Sequence, residues 1–390
     1  MSFRILGLGT ALPPHSMTQT EAAELARQVC SATEEQATLL KVLYRRSGVG
    51  MRYTVLPHRI ALEWVEPEQE PGGNLRTLVQ LGPTTQERMQ FYAEHASPLA
   101  LKASRTALAE SAVEAAAVSH LVTVSCTGFA APGVDLALIN GLGLSPTVLR
   151  THVGFMGCHG AINGLRVAQA FAAGDPEARI LLCAVELCSL HYRFRWDPIR
   201  FIGNAIFADG AAAIVGGGRA GDRVEEVSQA NGRPLVFKPL EHDGGTTSEP
   251  AWTVTATGSC LLPDSADAMT WTVGDHGFEM ALSPRVPDLI KQHLAGWLAD
   301  WLAGQHLALD DIGSWAVHPG GPRILLAVEQ ALGLDAGHLT TSREVLSEFG
   351  NMSSPTVLFI LDRLRRRQAA RPCVALGFGP GLVAEAALLT

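Results

Sequence analysis

The 390-residue sequence predicts an α/β protein of layered helices and sheet, assembled from two similar halves. Hydrophobic residues make up 47% of the chain, and several strands read as unbroken apolar runs, the pattern of sheets covered on both faces. One unit also occurs twice: a glycine, a single polar or reactive residue, a helical pattern, then an apolar strand. The first copy runs from Gly157-Cys158 through Ile162, Leu165, Ala168 and Phe171 to a strand opening at Ile180, 22 residues after Cys158. The second runs from Gly350-Asn351 through Val357, Leu358, Ile360, Leu361 and Leu364 to a strand opening at Cys373, again 22 residues on.

The remaining elements follow in order. A strand is expected at 4–8, then Pro13-Pro14 and a helix capped around Thr18 to Thr20 with Glu21 in its first turn. Another helix is expected from Gln36 to Arg46, and a loop at 65–83, rich in Glu, Pro and Gly. A helical pattern covers 84–110, and the strand His120–Ser125 ends in the glycine-containing turn Cys126–Gly133. The first half closes on a strand at 209–216. Gly216-Gly-Gly218 then separates residues 1–218 from 219–390. Beyond it, 223–236 and 252–257 are strand-like, 284–303 is helical, and the strand Ser314–Val317 runs into His318-Pro-Gly-Gly-Pro322 and a helix at 323–333. The second repeated helix ends on Arg365-Arg-Arg367, where cations suit the carbonyl end of a helix.

Composition removes several function classes. A net charge of −8 without a long basic run leaves no electrostatic footprint for nucleic acid. Seven cysteines without paired spacing do not form a disulfide scaffold, so a reducing cytoplasm is expected. The first twelve residues read as a strand and not as a secretion signal, and no apolar run approaches the roughly 18 residues of a membrane span.

Three residues are expected at strand-to-helix turns, where open α/β sheets place their ligands: Cys158, His318 and Asn351. Singly, each residue type is commonplace in a core or a cap. Together, a nucleophile from one half and an imidazole and an amide from the other read as acyl transfer through a thioester. A helix N-terminus and a nearby imidazole would favour the thiolate that such chemistry needs.

Longer motifs then become recognisable. Arg343-Glu-Val-Leu-Ser-Glu-Phe-Gly-Asn351-Met-Ser-Ser354, His318-Pro-Gly-Gly-Pro-Arg-Ile-Leu325, Gly377-Phe-Gly-Pro-Gly-Leu382 and Phe201-Ile-Gly-Asn-Ala-Ile-Phe207-Ala-Asp-Gly210 strongly resemble the type III polyketide synthases of the chalcone synthase superfamily, its bacterial members above all. The resemblance implies a thiolase-like αβαβα fold of two duplicated halves, a homodimer, and catalysis without a cofactor beyond coenzyme A thioesters as substrates. Cys158 would take an acyl group from an acyl-CoA. His318, paired with it as imidazolium, and Asn351 would polarise the malonyl-CoA thioester and stabilise the enolate left when carbon dioxide departs. The resemblance also implies that Phe207 and Phe278 stand where the coenzyme A tunnel meets the reaction chamber. Glu186, Ser353, Cys126, Thr127 and His191 would serve the cavity. Lys41, Arg45, Arg46, Gly320, Gly321 and Arg323 would serve coenzyme A. Ala131 and His191 depart from the plant pattern. The expected reaction is extension of a fatty acyl-CoA with malonyl-CoA to an alkylpyrone or alkylresorcinol. Alternatives are a 1,3,6,8-tetrahydroxynaphthalene synthase, for which Cys126 is a hint, and a ketoacyl-ACP synthase III-like enzyme.

Overall fold

The computed structural model describes residues 2–31, 33–64, 81–194, 196–197, 201–218 and 251–390. The expected strand at 223–236 and most of the loop at 65–83 lie outside them. The strands are β1 (Phe3–Ala11), β2 (His15–Thr18), β3 (Met51–Thr54), β4 (His120–Ser125), β5 (Leu149–Gly154), β6 (Arg179–Leu187), β7 (Asp209–Gly217), β8 (Thr253–Leu261), β9 (Met269–Gly274), β10 (Gly277–Leu282), β11 (Ser314–Val317), β12 (Cys373–Gly379) and β13 (Val383–Leu389).

Nine of them form one mixed sheet in the order β11-β12-β13-β8-β1-β7-β6-β4-β5. The duplication is visible in the pairing. In the first half β4 runs parallel to β6, and β7 and then β1 follow antiparallel. In the second half β11 runs parallel to β12, and β13 and then β8 follow antiparallel. The halves join where β1 pairs antiparallel with β8, Phe3 opposite Val254 and Arg4 opposite Thr253. β9 with β10 and β2 with β3 form two separate hairpin-like ribbons.

The two repeated helices, Gly160–Gly174 and Pro355–Arg366, are the middle layer. Ile162, Leu165 and Ala168 of one and Val357, Leu358, Ile360 and Leu361 of the other share a single core cluster with strand residues of both halves. Leu165 and Val357, with no exposed surface, each contribute roughly 1.5–3 kcal/mol through burial. The outer layers are the long helix Thr85–Ser111 on the first half and the helices Val286–Ala303 and Pro322–Leu332 on the second.

Local chemistry sets the boundaries. The helix Gln19–Cys30 starts on a capping box of Thr18 with Glu21, and Thr85–Ser111 on one of Thr84 with Glu87. The basic end at 365–367 is neutralised: Arg365 pairs with Glu110 at 2.5 Å, Arg366 with Asp362 at 2.8 Å and Arg367 with Glu344 at 2.7 Å.

Candidate active site

β5 leads toward Cys158. Gly157 adopts φ +75°, and a Cβ there would lie 2.5 Å from the Pro380 ring, so only glycine makes this bend. A single 3₁₀ turn, Gly157–His159, then sets Cys158 at the start of the helix Gly160–Gly174. His318 follows β11; its N–H donates to Leu376 O at 2.8 Å, which carries the ladder with β12 one residue further.

Asn351 is reached differently from the expected strand-to-helix turn. The element before it is a helix, Thr340–Phe349, whose Val345 and Leu346 are buried, and Gly350 at φ +75° ends that helix and redirects the chain. Backbone bonds then fix Asn351: its N–H donates to Ile206 O at 2.8 Å, and Ala208 N–H donates to Asn351 O at 2.9 Å. The Ser353 N–H donates to Asn351 Oδ1 at 2.8 Å, which commits the carbonyl side of the carboxamide and leaves its NH₂ as the donor on offer.

The three side chains line one cavity, with Phe207, Met269, Met280, Gly320 and Phe378 among its walls. Burial pushes the Cys158 thiol up to about 11, partly offset by hydrogen bonding from Ser353 and Asn351. Burial, with a smaller contribution from His159, pushes His318 down to about 3, and neither of its ring nitrogens has a hydrogen-bond partner. Both groups are therefore neutral at neutral pH. The apolar walls favour the neutral form of both groups in the free enzyme, whereas the resemblance implies a thiolate–imidazolium pair. A neutral imidazole has one acceptor nitrogen and one donor. It can take the thiol proton or donate to a carbonyl oxygen. No protein group among the described residues bonds either nitrogen, so both face the cavity with their hydrogen-bonding capacity uncommitted by the protein.

The other expected residues divide. Cys126, Thr127 and Ser353 line an adjoining cavity with Cys158, Phe207, Met280 and Trp271, and Cys126 Sγ lies 3.4 Å from Ser353 Oγ. Glu186 is not in the cavity wall. It is fully buried behind that wall, and burial raises its carboxyl pKa. There it accepts from Cys126 N–H at 2.9 Å, Thr127 Oγ1 at 2.6 Å and Ser354 Oγ at 2.6 Å, which makes it a strut for the wall.

His191 and Phe278 stand further in, in a cavity beyond Phe207. Phe278 N–H donates to His191 Nδ1 at 2.9 Å, so Nε2 carries the proton toward Thr127 O at 2.7 Å. The two rings stack at 4.2 Å, and burial pushes His191 down to about 3. Phe278 thus does not share the Cys158 cavity with Phe207. Met280, two residues on along β10 and hence on the same strand face, does. Trp271, whose indole N–H donates to Cys126 O at 2.7 Å, walls both inner cavities. Met280 and Trp271 were not assigned from sequence, although they flank Phe278 on β9 and β10.

On the outer side, a cleft lined by Arg46, Arg323, Gly320 and Gly321 shares Ile206, Leu282 and Ile324 with the Cys158 cavity. Lys41 and Arg45 are exposed on the same helix region but do not line this cleft. The cleft, the catalytic cavity and the two further cavities therefore adjoin through shared walls.

Comparison with known proteins gives a consistent result. Residues 2–219 match the family model for chalcone and stilbene synthases, N-terminal domain, and residues 253–390 that for the C-terminal domain. A 1,3,6,8-tetrahydroxynaphthalene synthase of Streptomyces peucetius subsp. caesius is 34% identical over 389 residues, covering 99% of this chain and 92% of that one. The alpha-pyrone synthesis polyketide synthase-like Pks18 of Mycobacterium tuberculosis is 31% identical, covering 98% and 90%. The crystal structure of PKS-I from the brown alga Ectocarpus siliculosus superposes with a TM-score of 0.84 at 30% identity, covering 100% of this chain and 98% of that one.

Proposed function

Given that the chain belongs to the chalcone and stilbene synthase family of type III polyketide synthases, enzymes that condense malonyl-CoA with acyl-CoA, we propose that it extends a fatty acyl-CoA starter with malonyl-CoA and releases an alkylpyrone or alkylresorcinol. In the first half-reaction Cys158 Sγ attacks the starter thioester, His318 takes the thiol proton, and that proton leaves with coenzyme A as its free thiol. In the second, the malonyl thioester oxygen accepts from His318 and from the Asn351 carboxamide while carbon dioxide departs. These preorganised donors carry the enolate charge. The enolate carbon attacks the acyl carbonyl, Cys158 leaves as thiolate, and the lengthened chain returns to it for another round. This charge distribution calls for no metal ion.

The observation that supports a fatty starter is the cavity beyond Phe207. Its walls include Met17, Ala22, Leu25, Trp271, Phe278 and Met280, so it leads from the chemistry toward the helix Gln19–Cys30 along mostly apolar side chains. A second reading, a malonyl-primed tetrahydroxynaphthalene synthase, is favoured by Cys126 in the cavity next to Cys158. Incubation with malonyl-CoA and acyl-CoAs from acetyl to stearoyl, with mass spectrometry of the products, separates them. The fatty reading expects tri- and tetraketides built on long starters; a single product from malonyl-CoA alone would favour the second. Single-condensation products with every starter would contradict both. The cleft residues Arg46 and Arg323 would meet the phosphates of coenzyme A, and the exposed apolar face around β5 would be covered by a second copy of the chain.

A further inference from the structure

Behind the turn that carries Phe207 sits a buried cation that the chemistry above leaves without a task. Arg52, on β3, is 4% exposed. Its guanidinium donates to Asn204 O and Ala205 O, each at 2.6 Å, and to Phe207 O at 3.3 Å, the carbonyls that close the helix Phe201–Ile206. Its remaining bond, at 2.5 Å, goes to Gln19 Oε1, and Gln19 turns its amide to Ala205 O at 2.7 Å and Ser47 Oγ at 2.7 Å. Among the described residues no carboxylate hydrogen-bonds to Arg52. A guanidinium suits a helix C-terminus. Burying one against neutral acceptors still costs more than an apolar side chain of that size would.

What those bonds hold is the strip where Phe207 and Asn351 meet. The Asn351 N–H donates to Ile206 O, between the carbonyls that Arg52 grips, and the Ala208 N–H donates back to Asn351 O. From the opposite side, Gln19 N–H donates to Gly50 O, and Gly50 N–H donates to Ser347 O in the helix that leads into Asn351. Arg52 and Gln19 therefore tie together both backbone segments that place the Asn351 carboxamide. Ser47, Ala205 and Ile206 also line the outer cleft, so the same bonds join the cleft wall to the Asn351 turn.

We propose that Arg52, oriented by Gln19, is a positioning residue for malonyl-CoA decarboxylation, acting through Asn351; this rests on the reading of Asn351 as the enolate donor. The consequence is selective. Loading of Cys158 uses His318 as its base, whereas the enolate needs the Asn351 donor at its set height.

The test compares wild type, Arg52→Lys, Arg52→Met and Gln19→Ala, with the unfolding midpoint of each measured first. Two half-reactions are followed separately: transfer of a hexanoyl group from hexanoyl-CoA to the protein by intact mass, and carbon dioxide release from malonyl-CoA. Arg52→Met and Gln19→Ala are expected to lower kcat for carbon dioxide release about ten-fold or more, with KM and hexanoyl loading changed less than about three-fold. Arg52→Lys recovers part of the loss. Adding Arg52→Met to Asn351→Ala is expected to bring no further decrease, because both act through one donor. Should Arg52→Met not fold, Gln19→Ala and Arg52→Lys carry the comparison. Equal losses in both half-reactions, no loss in either, or full multiplication with Asn351→Ala would overturn the positioning role alone. A wild type that releases no carbon dioxide from malonyl-CoA would overturn the reading of the site and this inference together.

Discussion

No protein group among the described residues bonds either ring nitrogen of His318, and burial, with a smaller contribution from His159, pushes its imidazole down to about 3. His191 is held just as low, at about 3, beneath the Phe278 ring. The sign of the pH effect follows from comparing folded and unfolded chains. An unfolded histidine titrates near 6.5, so on acidification the unfolded chain binds protons that the folded one refuses, and stability falls as pH drops from about 6.5 toward 3. At pH 5 the penalty is about 2 kcal/mol per histidine. Asp209, which burial raises to about 6, and Glu186, which burial also raises, act in the opposite direction, since protonation relieves their cost. His58, which burial lowers to about 4, and His159, which burial also lowers, act with His318 and His191, and these four histidines outweigh the two carboxyls. Denaturant midpoints at pH 7 and pH 5 should therefore show a lower stability at pH 5, and an equal or higher value there would contradict these buried neutral imidazoles.

At the scale of elements, the catalytic wall depends on struts that touch no substrate. The loop after β4 is held by Glu186, which reaches it from β6 and also binds Ser354 at the start of the helix Pro355–Arg366. Glu186→Ala would leave two backbone N–H groups and buried hydroxyls unpaired, a loss of about 3 kcal/mol or more in urea unfolding; a loss under about 1 kcal/mol would remove the strut role. The resemblance implied a hydrogen-bonding role for Glu186 in support of the chamber, and what the sequence did not show is which groups it ties together. The same limit explains Phe278 and Met280. They sit two apart on one face of β10, so only the packing decides which of them meets the Cys158 cavity. The helix before Asn351 escaped notice because a glycine followed by a polar residue and a helix looks alike whether a strand or a helix precedes it. Lys41 and Arg45 share a helix region with Arg46, and spacing alone does not show which cation turns toward the cleft. The helix capped at Thr18 and the two repeated units were legible, because a capping box, apolar periodicity and the matched 22-residue spacing are local features, whereas β5, β9 and β10 were not assigned.

At the scale of the whole molecule, two half-sheets joined through β1 and β8 enclose two buried helices, and each half delivers its reactive residues to the space between them. At the outer edge of that sheet, β5 and the segments beside it expose the apolar side chains Leu149 (61%), Phe129 (57%) and Met156 (44%). Light scattering should give the mass of two chains for the wild type and of one for Leu149→Asp; a monomeric wild type would contradict a second copy on this face. The central claim is that Cys158 carries the growing chain while His318 and Asn351 drive decarboxylation. Peptide mapping after incubation with hexanoyl-CoA, run beside carbon dioxide release from malonyl-CoA, tests it most directly. Wild type should carry the acyl mass on the peptide containing Cys158, and Cys158→Ala should carry none while still releasing carbon dioxide. Acyl mass on another peptide, or retained by Cys158→Ala, would contradict it.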